Sequence, residues 1–125
     1  MGSSSRFWAA SGGFLLAVAT GLAAWHAHGL AEDLAEEEHV AFGRALLQQF
    51  VTGVGLLGLG AWIRLREGDR LLDLAAGLLL AGSLLFCGEV YRGALGQETW
   101  GLAPKGGGAM ILAWLLAAGA LLRRR

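Results

Sequence analysis

The side chains that could bind a metal ion lie together in one polar segment, residues 26–41, which holds all three histidines. His28 and Glu32 are four residues apart, and Glu36 and His39 are three apart. Each pair would therefore share one face of a helix. Imidazole nitrogens and carboxylate oxygens are common zinc ligands. The weak metal candidates are His28, Glu32 and His39.

Other features of the same segment argue against a metal. No cysteine accompanies the histidines, and neither an HExxH nor a CxxCH motif occurs. A haem would need axial histidines at membrane depth, where only His26 comes close. An acidic, solvated connection between helices explains the same residues, so we expect no bound cofactor.

A second polar group surrounds the string FCGEVY, residues 86–91. Ionisable residues within a membrane are costly and are candidates for function by default. The simpler interpretation is structural, with Glu89 paired to a cation so that the ends of neighbouring helices are tied together. The predicted cluster consists of Glu89, Lys105, Arg44, Arg92 and Gln48.

The composition is that of a membrane protein. Of 125 residues, 55% are hydrophobic and 16% are charged, which is unusual for a soluble domain. The length allows one domain, 1–125. No catalytic motif is present, and the glycines at 106–108 follow no strand, so a phosphate-binding loop is excluded. We expect no enzyme and, with cations confined to the flanks of apolar segments, no binding of nucleic acid.

Hydropathy predicts an all-α protein, a four-transmembrane-helix bundle. The apolar runs are about 17 to 22 residues long, enough to cross a bilayer. The first run could also be a secretory signal cleaved near Ala24, but we expect it to be retained as a span. In the first run, small residues recur every fourth position at Ala9, Gly13, Ala17 and Gly21, which favours close helix contact. The predicted spans are about 7–25, 42–63, 71–91 and 106–122, with an outer loop at 26–41.

The distribution of cations predicts the topology. Four spans place both termini on one side, and seven of the ten cations flank the spans on that side. By the positive-inside rule, both termini and the turn RLREGDR, residues 64–70, are cytoplasmic. We expect Arg123, Arg124 and Arg125 to interact with lipid headgroups.

Several strings, taken in order, resemble a known family. They are AHGL at 27–30, ALLQQFVTGVGLL at 45–57, FCGEVY at 86–91, and PKGGG at 104–108 followed by Trp114. Together they resemble the small membrane proteins of domain of unknown function 423, whose eukaryotic relatives are called transmembrane protein 256. The resemblance implies a four-helix, multi-pass integral membrane protein of the bacterial inner (plasma) membrane, with no established activity.

The chain departs from the pattern of that family in three places. Gln48 and Thr52 stand where the family usually has a tyrosine and a histidine. Glu89 stands where a small hydroxyl residue is usual, and Lys105 replaces an apolar residue. A carboxylate and an amine gained together predict a compensating pair between Glu89 and Lys105 in a divergent member of the family.

Two functions remain open from the sequence. The first is a non-catalytic accessory or structural subunit of a larger membrane complex, of the respiratory or photosynthetic kind, with membrane lipids and other membrane subunits as partners. The second is a small transport, channel or lipid-binding unit that uses the polar cluster around Glu89.

Overall fold

The protein consists of four long helices. A computed structural model describes residues 2–123, with side chains from Ser4 onward. Each helix is long and apolar enough to cross a membrane. The all-α class agrees with the sequence prediction, and the chain is a small four-span membrane protein. The helices are α1 (Gly2–His28), α2 (Glu36–Leu65), α3 (Arg70–Ala94) and α4 (Ala103–Leu122).

The first connection is shorter than the sequence suggested. The helix α2 begins at Glu36, so residues 36–41, placed in the outer loop by sequence reasoning, are helical. Three consecutive glutamates in its first turn interact favourably with the positive end of the helix dipole. The Glu38 carboxylate also accepts a hydrogen bond from the Ala35 N–H at 2.8 Å. These two effects start the helix inside the acidic segment.

The α2–α3 connection is a tight turn. Glu67 and Gly68 both have positive φ, at 57° and 105°, which lets the chain reverse within a few residues. Asp69 then caps α3, because its side chain accepts the N–H groups of Leu71 and Leu72. The α3–α4 connection is longer, and Pro104 lies in the first turn of α4, where its missing N–H costs nothing.

Consecutive helices are neighbours in space: α1 packs on α2, α2 on α3, and α3 on α4. Two contacts bring the ends of the described chain to the same end of the bundle. The Trp8 Nε1–H near the start of α1 donates to Asp73 at 2.9 Å. Arg123, just after α4, donates to Asp69 at 3.0 Å. An even number of spans with ends on one side is the arrangement that the sequence predicts.

The core has two parts. The larger part fills the space between α2, α3 and α4 around Leu56, Leu79 and Met110. The smaller part lies at the opposite end of the bundle, where Phe42 and Leu30 pack beneath the α1–α2 connection. Both parts are built from apolar residues, and an unpaired polar group inside such a core is costly.

Glycines allow two close approaches between helices. A Cβ on Gly12 of α1 would lie 2.5 Å from the carbonyl oxygen of Gly53 on α2. A Cβ on Gly106 of α4 would lie 2.5 Å from the Phe86 nitrogen and 2.6 Å from the Gly82 oxygen on α3. Backbones at this separation require residues without side chains on the contacting face.

Only one member of the small-residue stripe predicted on α1 packs on α2: Ala9 lies against Gly60, where an added Cβ would be 3.1 Å from the Ala9 nitrogen. A Cβ added at Gly13 or Gly21 would have no neighbouring atom within 4 Å, and Ala17 is exposed. The buried small residues are instead Gly12 and Ala19. Further along α1 the contact face is offset by one residue from the predicted stripe, and a hydrogen bond from Gln49 to the Leu15 carbonyl joins α1 to α2 there.

Candidate functional site

Glu89 is a buried carboxylate that binds backbone N–H groups. It lies in the last part of α3 and is 5% exposed. Its Oε2 accepts hydrogen bonds from the N–H groups of Trp100 and Leu102, at 2.8 and 3.2 Å. Its Oε1 is buried and has no hydrogen-bond partner among the described residues. Glu89 therefore holds the α3–α4 loop, residues 95–102, against the end of α3.

The predicted ion pair between Glu89 and a cation is absent from the described residues, where both ion pairs involve Asp69 instead. The α3–α4 loop folds back over α3 and places its own N–H groups within hydrogen-bond distance of Glu89. Lys105 is exposed in the first turn of α4. Arg92 donates to the Glu98 carbonyl oxygen at 2.6 Å and lies 4.1 Å from the centre of the Trp100 ring. The prediction of a compensating ion pair between Glu89 and Lys105 is therefore wrong.

The remaining two members of the predicted cluster lie apart from Glu89. Arg44 is exposed on α2, and Gln48 is half-buried on the same helix. The adjacent Gln49 is the residue that faces inward. The five predicted residues thus do not form one site.

Gln49 links three helices within the membrane. Its Nε2 donates to the Leu15 carbonyl oxygen of α1 at 2.9 Å. Its Oε1 accepts from the Tyr91 hydroxyl of α3 at 2.7 Å. Gln49 is 4% exposed, so these bonds form where water cannot compete. Helix periodicity could have identified it, because Gln49 shares a face with Ala45, Thr52 and Leu56.

A second polar contact lies one turn away. The Cys87 thiol of α3 donates to the Ala45 carbonyl oxygen of α2 at 3.4 Å and lies 3.6 Å from the Ser83 hydroxyl. All three positions are buried. Thr52, also buried, has a hydroxyl with no partner among the described residues. Cys87 is therefore a packing residue with a weak hydrogen bond, as expected for a lone buried thiol.

Two histidines contact each other at the end of the bundle that holds the α1–α2 connection. The His39 Nε2 lies 3.2 Å from the Ala31 carbonyl oxygen, and its Nδ1 lies 3.0 Å from the His26 Nε2. A carbonyl only accepts, so His39 carries its proton on Nε2, and the His26 Nε2–H donates to the free Nδ1. The His26 ring also stacks on Phe42, with 4.7 Å between ring centroids. The pair fastens α1 to the start of α2.

The metal hypothesis gains no support from this geometry. The structure places His39 against His26 instead of against His28 and Glu32. Across residues 2–123, no three histidine, cysteine, aspartate or glutamate side chains are grouped so that they could hold a metal ion. Two imidazoles alone leave half of a tetrahedral zinc site unfilled.

Asp69 is the centre of the other end of the bundle. Arg66 donates to its Oδ2 at 3.0 Å, and Arg123 donates to its Oδ1 at 3.0 Å. Burial opposes ionisation of this carboxyl. The hydrogen bonds from Arg66 and from the N–H groups of Leu72 and Leu71, with the charge of Arg123, outweigh that effect and lower the pKa of Asp69.

Arg66 also caps the last helix. It donates to the carbonyl oxygens of Ala120 at 2.7 Å, Leu121 at 3.1 Å and Arg123 at 3.3 Å. The carbonyls of Ala120 and Leu121 belong to the last turn of α4, where no later N–H of the helix reaches them. The Ala120 oxygen also accepts from the Arg123 N–H at 3.3 Å. One guanidinium thus joins the α2–α3 turn to the end of α4 and neutralises Asp69.

Sequence reasoning missed this second centre, although it contains a recognisable signal. An aspartate directly before an apolar run is typical of a helix N-cap. Arg123, expected at lipid headgroups, is bound to Asp69 while its side chain stays 46% exposed. Arg124 and Arg125, expected at headgroups with it, lie outside the described residues.

Comparison with known proteins supports the resemblance noted in the sequence. The model of the family described as protein of unknown function (DUF423) matches residues 22–108, well over half of the chain. The chain belongs to the DUF423 family. No curated protein and no solved structure shows significant similarity to it.

The DUF423 match covers most of the contacts described above, but several partners lie outside it, among them Trp8, Ala120 and Leu121. Gln49, Tyr91, Glu89 and its loop partners all fall within residues 22–108. Leu15, which accepts from Gln49, and Arg123, which binds Asp69, fall outside the matched range. The part of this DUF423 chain that matches the family therefore contains all of α2 and α3 with their connecting loops. Most of α1 and most of α4 lie outside the match.

Proposed function

We propose that this protein is a non-catalytic accessory subunit of a larger membrane-protein assembly. The observation that carries the proposal is the use of the polar side chains inside the bundle. Gln49, Tyr91, Cys87 and Asp73 each bind another helix of the same chain. Polar groups that are already bound in this way hold helices together and are poorly placed to act on a substrate.

The surface of α1 supports a role in assembly. Only 17% of the residues in its most apolar stretch are buried inside the chain, against 44% for α2. Gly13 and Gly21 are open to the surroundings. Glycine within a helix costs about 1 kcal/mol relative to alanine, and lipid contact gives no return for that cost. Close packing against a helix of another subunit would offset this cost, because small residues let two helix backbones approach each other.

A transport, channel or lipid-binding unit built on the Glu89 cluster is the alternative. It has less support because the cluster is dispersed. Glu89 is occupied by loop N–H groups, Arg92 by a carbonyl and a tryptophan ring, and Arg44 and Lys105 are exposed. A respiratory or photosynthetic complex in a bacterial inner membrane is the class of assembly to examine first.

The decisive experiment is isolation of the protein from its native membrane in a mild detergent, followed by mass analysis of the proteins that travel with it. Stoichiometric co-purification with a larger membrane complex is the expected result. A double variant, Gly13→Leu with Gly21→Leu, should lower that co-purification. Val54→Leu, which changes an exposed side chain on α2, is the matched control. Recovery of the wild-type chain only as a monomer or a homo-oligomer would overturn the proposal.

The cytoplasmic position of both termini is part of the same proposal. It is supported by the cation distribution and by the contacts that bring Trp8, Asp69 and Arg123 to one end of the bundle. Single cysteines placed at Ser4 and Glu98 in a Cys87→Ser background, treated with an impermeant maleimide, test it. Intact cells should label Glu98→Cys and leave Ser4→Cys unlabelled, and the reverse pattern would contradict this orientation.

A further inference from the structure

Arg44 is an exposed cation on α2 that has no hydrogen bond or ion pair with any residue the structure describes. Both ion pairs found among those residues belong to Asp69 instead. Arg44 lies 20 residues before Arg64, which is about 30 Å along a helix, and the hydrocarbon core of a bilayer is also about 30 Å thick. With Arg64 at one boundary of the hydrocarbon, Arg44 lies at the other, where a long basic side chain extends toward the lipid headgroups.

Arg44 shares an open groove with two carboxylates. We call it the α2 groove, and its lining residues are Ala35, Glu36, Glu37, Val40, Ala41 and Arg44. Glu36 and Glu37 are exposed and bind no described residue, whereas the adjacent Glu38 accepts from the Ala35 N–H. Glu36 and Glu37 precede Arg44 by about two turns, so they lie about 10–12 Å farther from the centre of the bilayer. The groove therefore presents unpaired charges of both signs at two different depths.

An apolar stripe continues from the α2 groove toward the centre of the bilayer. Its members follow Arg44 at intervals of three, four and three residues, which keeps them on one face of the helix. They are Leu47, Val51 and Val54, and all three are exposed. Since no described part of the chain covers this stripe, it is open to the hydrocarbon chains of the bilayer.

The order of these groups along α2 matches the order of groups in one class of phospholipid. From the start of the helix inward, the chain presents carboxylates, a guanidinium and apolar side chains. Phosphatidylethanolamine presents an ammonium, a phosphate and acyl chains in the same order. We propose that this face of α2 binds phosphatidylethanolamine, with its ammonium at Glu36 and Glu37, its phosphate at Arg44, and an acyl chain along the stripe. Both polar contacts would be hydrogen bonds between opposite charges, which are the strong ones.

The lining of the α2 groove distinguishes phosphatidylethanolamine from other phospholipids. A choline headgroup has no N–H to donate and is typically bound by a cage of aromatic rings, but no aromatic residue lines this groove. A primary ammonium has three N–H donors for the carboxylates. A phosphatidylglycerol headgroup carries no cation for Glu36 and Glu37 to bind. The site uses Arg44 without Glu89, and it does not depend on the proposed accessory role.

The test uses the full chain in a neutral detergent with equal amounts of phosphatidylethanolamine, phosphatidylcholine and phosphatidylglycerol that have identical acyl chains. Native mass spectrometry counts the lipids that stay bound. The expected result is preferential retention of phosphatidylethanolamine. The double variant Glu36→Gln with Glu37→Gln should abolish the preference over phosphatidylcholine, because it removes the charges that bind the ammonium. Arg44→Gln should lower retention of all three lipids, because the phosphate is common to them.

Matched controls change exposed side chains outside the α2 groove. Arg64→Gln, at the other end of α2, and Glu32→Gln with Asp33→Asn, in the α1–α2 connection, should keep the retention and the selectivity of the wild type. Soluble glycerophosphoethanolamine, which lacks acyl chains, should not compete with the lipid.

Three results would overturn the proposal. They are equal retention of the three lipids by the wild type, a preference for phosphatidylethanolamine that survives the groove variants, and full competition by the soluble headgroup. The thermal unfolding midpoint of each variant, expected to match the wild type because every substituted side chain is exposed, separates loss of lipid from loss of the fold.

Discussion

Arg66 and Asp69 form a buried ion pair, with 3.0 Å between the guanidinium and the carboxylate, that connects three helix ends. The Asp69 side chain is fully buried and also caps α3. Arg66 binds the last carbonyls of α4 at the same time. Loss of the pair therefore removes more than the attraction between the two charges, because Asp69 also binds N–H groups at the start of α3 and Arg66 also binds carbonyl groups at the end of α4.

Asp69→Ala should destabilise the fold strongly. It removes an N-cap, worth about 1 kcal/mol, and leaves Arg66 without its carboxylate, for which the usual loss is about 3–5 kcal/mol when one partner of a buried pair is deleted. Thermal unfolding in detergent measures the change. Glu67→Gln in the same turn, which alters an exposed side chain, should leave the midpoint unchanged. Equal midpoints for Asp69→Ala and the wild type would contradict this role.

The contribution of the Asp69 charge should depend on pH in the acid range. Its folded-state pKa lies below the ordinary 3.8. The stabilisation is therefore fully present above that value and is lost as the pH falls through the lower folded-state pKa. Comparing wild type with Asp69→Asn, which keeps a capping oxygen, isolates the charge. The difference in unfolding free energy should be constant near neutral pH and shrink below pH 3.8, whereas a difference that grows on acidification would refute the assignment.

Glu89→Ala should release the α3–α4 loop, while Glu89→Gln should largely retain it. Glutamine keeps an oxygen that can accept from Trp100 and Leu102, whereas alanine leaves both N–H groups unpaired at about 1–3 kcal/mol each. Amide hydrogen exchange of these two residues is the direct measurement. Glu98→Ala, at an exposed side chain of the same loop, is the control. Slow exchange in Glu89→Ala would show that another group holds the loop.

Tyr91→Phe and Gln49→Leu should be coupled in their effects on stability. Each breaks the hydrogen bond of 2.7 Å between α2 and α3, so the double variant should lose less than the sum of the single losses. Hydrogen bonds between membrane helices average about 0.6 kcal/mol in such cycles. Gln48→Leu, one position away, should show no coupling to Tyr91→Phe. Strict additivity for Gln49→Leu would mean that the bond contributes nothing.

Gly106→Ala should loosen the contact between α3 and α4. The added Cβ would meet the Phe86 nitrogen and the Gly82 oxygen at 2.5 and 2.6 Å, and backbone atoms cannot move aside as a side chain can. Overpacking of this kind costs about 1–3 kcal/mol. The adjacent Gly107 has open space, so Gly107→Ala should be neutral or stabilising through its helix propensity. Similar unfolding midpoints for the two variants would rule out the close approach.

Hydropathy was enough to predict the four helices, because a long apolar run has few other structures available to it in a membrane. It could not locate the start of α2 at Glu36, where favourable charge–dipole contacts extend a helix into a polar segment. Asp69 could have been recognised from its position before an apolar run. The interaction of Arg66 with Ala120 could not, since it depends on how α4 returns to a turn that lies 54 residues earlier.

The prediction for Glu89 named the wrong kind of partner. Charge suggested Arg92, Lys105 or Arg44, but the path of the loop places the N–H groups of Trp100 and Leu102 against the carboxylate. Backbone N–H groups are present at almost every residue, so the sequence gives no signal for this contact. Gln48 and Gln49 are adjacent in the sequence and have the same side chain. Only the rotation of α2 determines that Gln49 faces Tyr91 and that Gln48 does not.

The dependence of Arg66 on the carbonyls of Ala120 and Leu121 has a consequence for biosynthesis. The ribosome completes the α2–α3 hairpin long before it releases the end of α4. During that interval the guanidinium of Arg66 lacks the carbonyl partners that it has in the finished protein. Insertion of α4 therefore supplies the last contacts of the α2–α3 turn. A chain whose α4 fails to insert would leave Arg66 without these contacts, and we expect it to be degraded faster by membrane proteases.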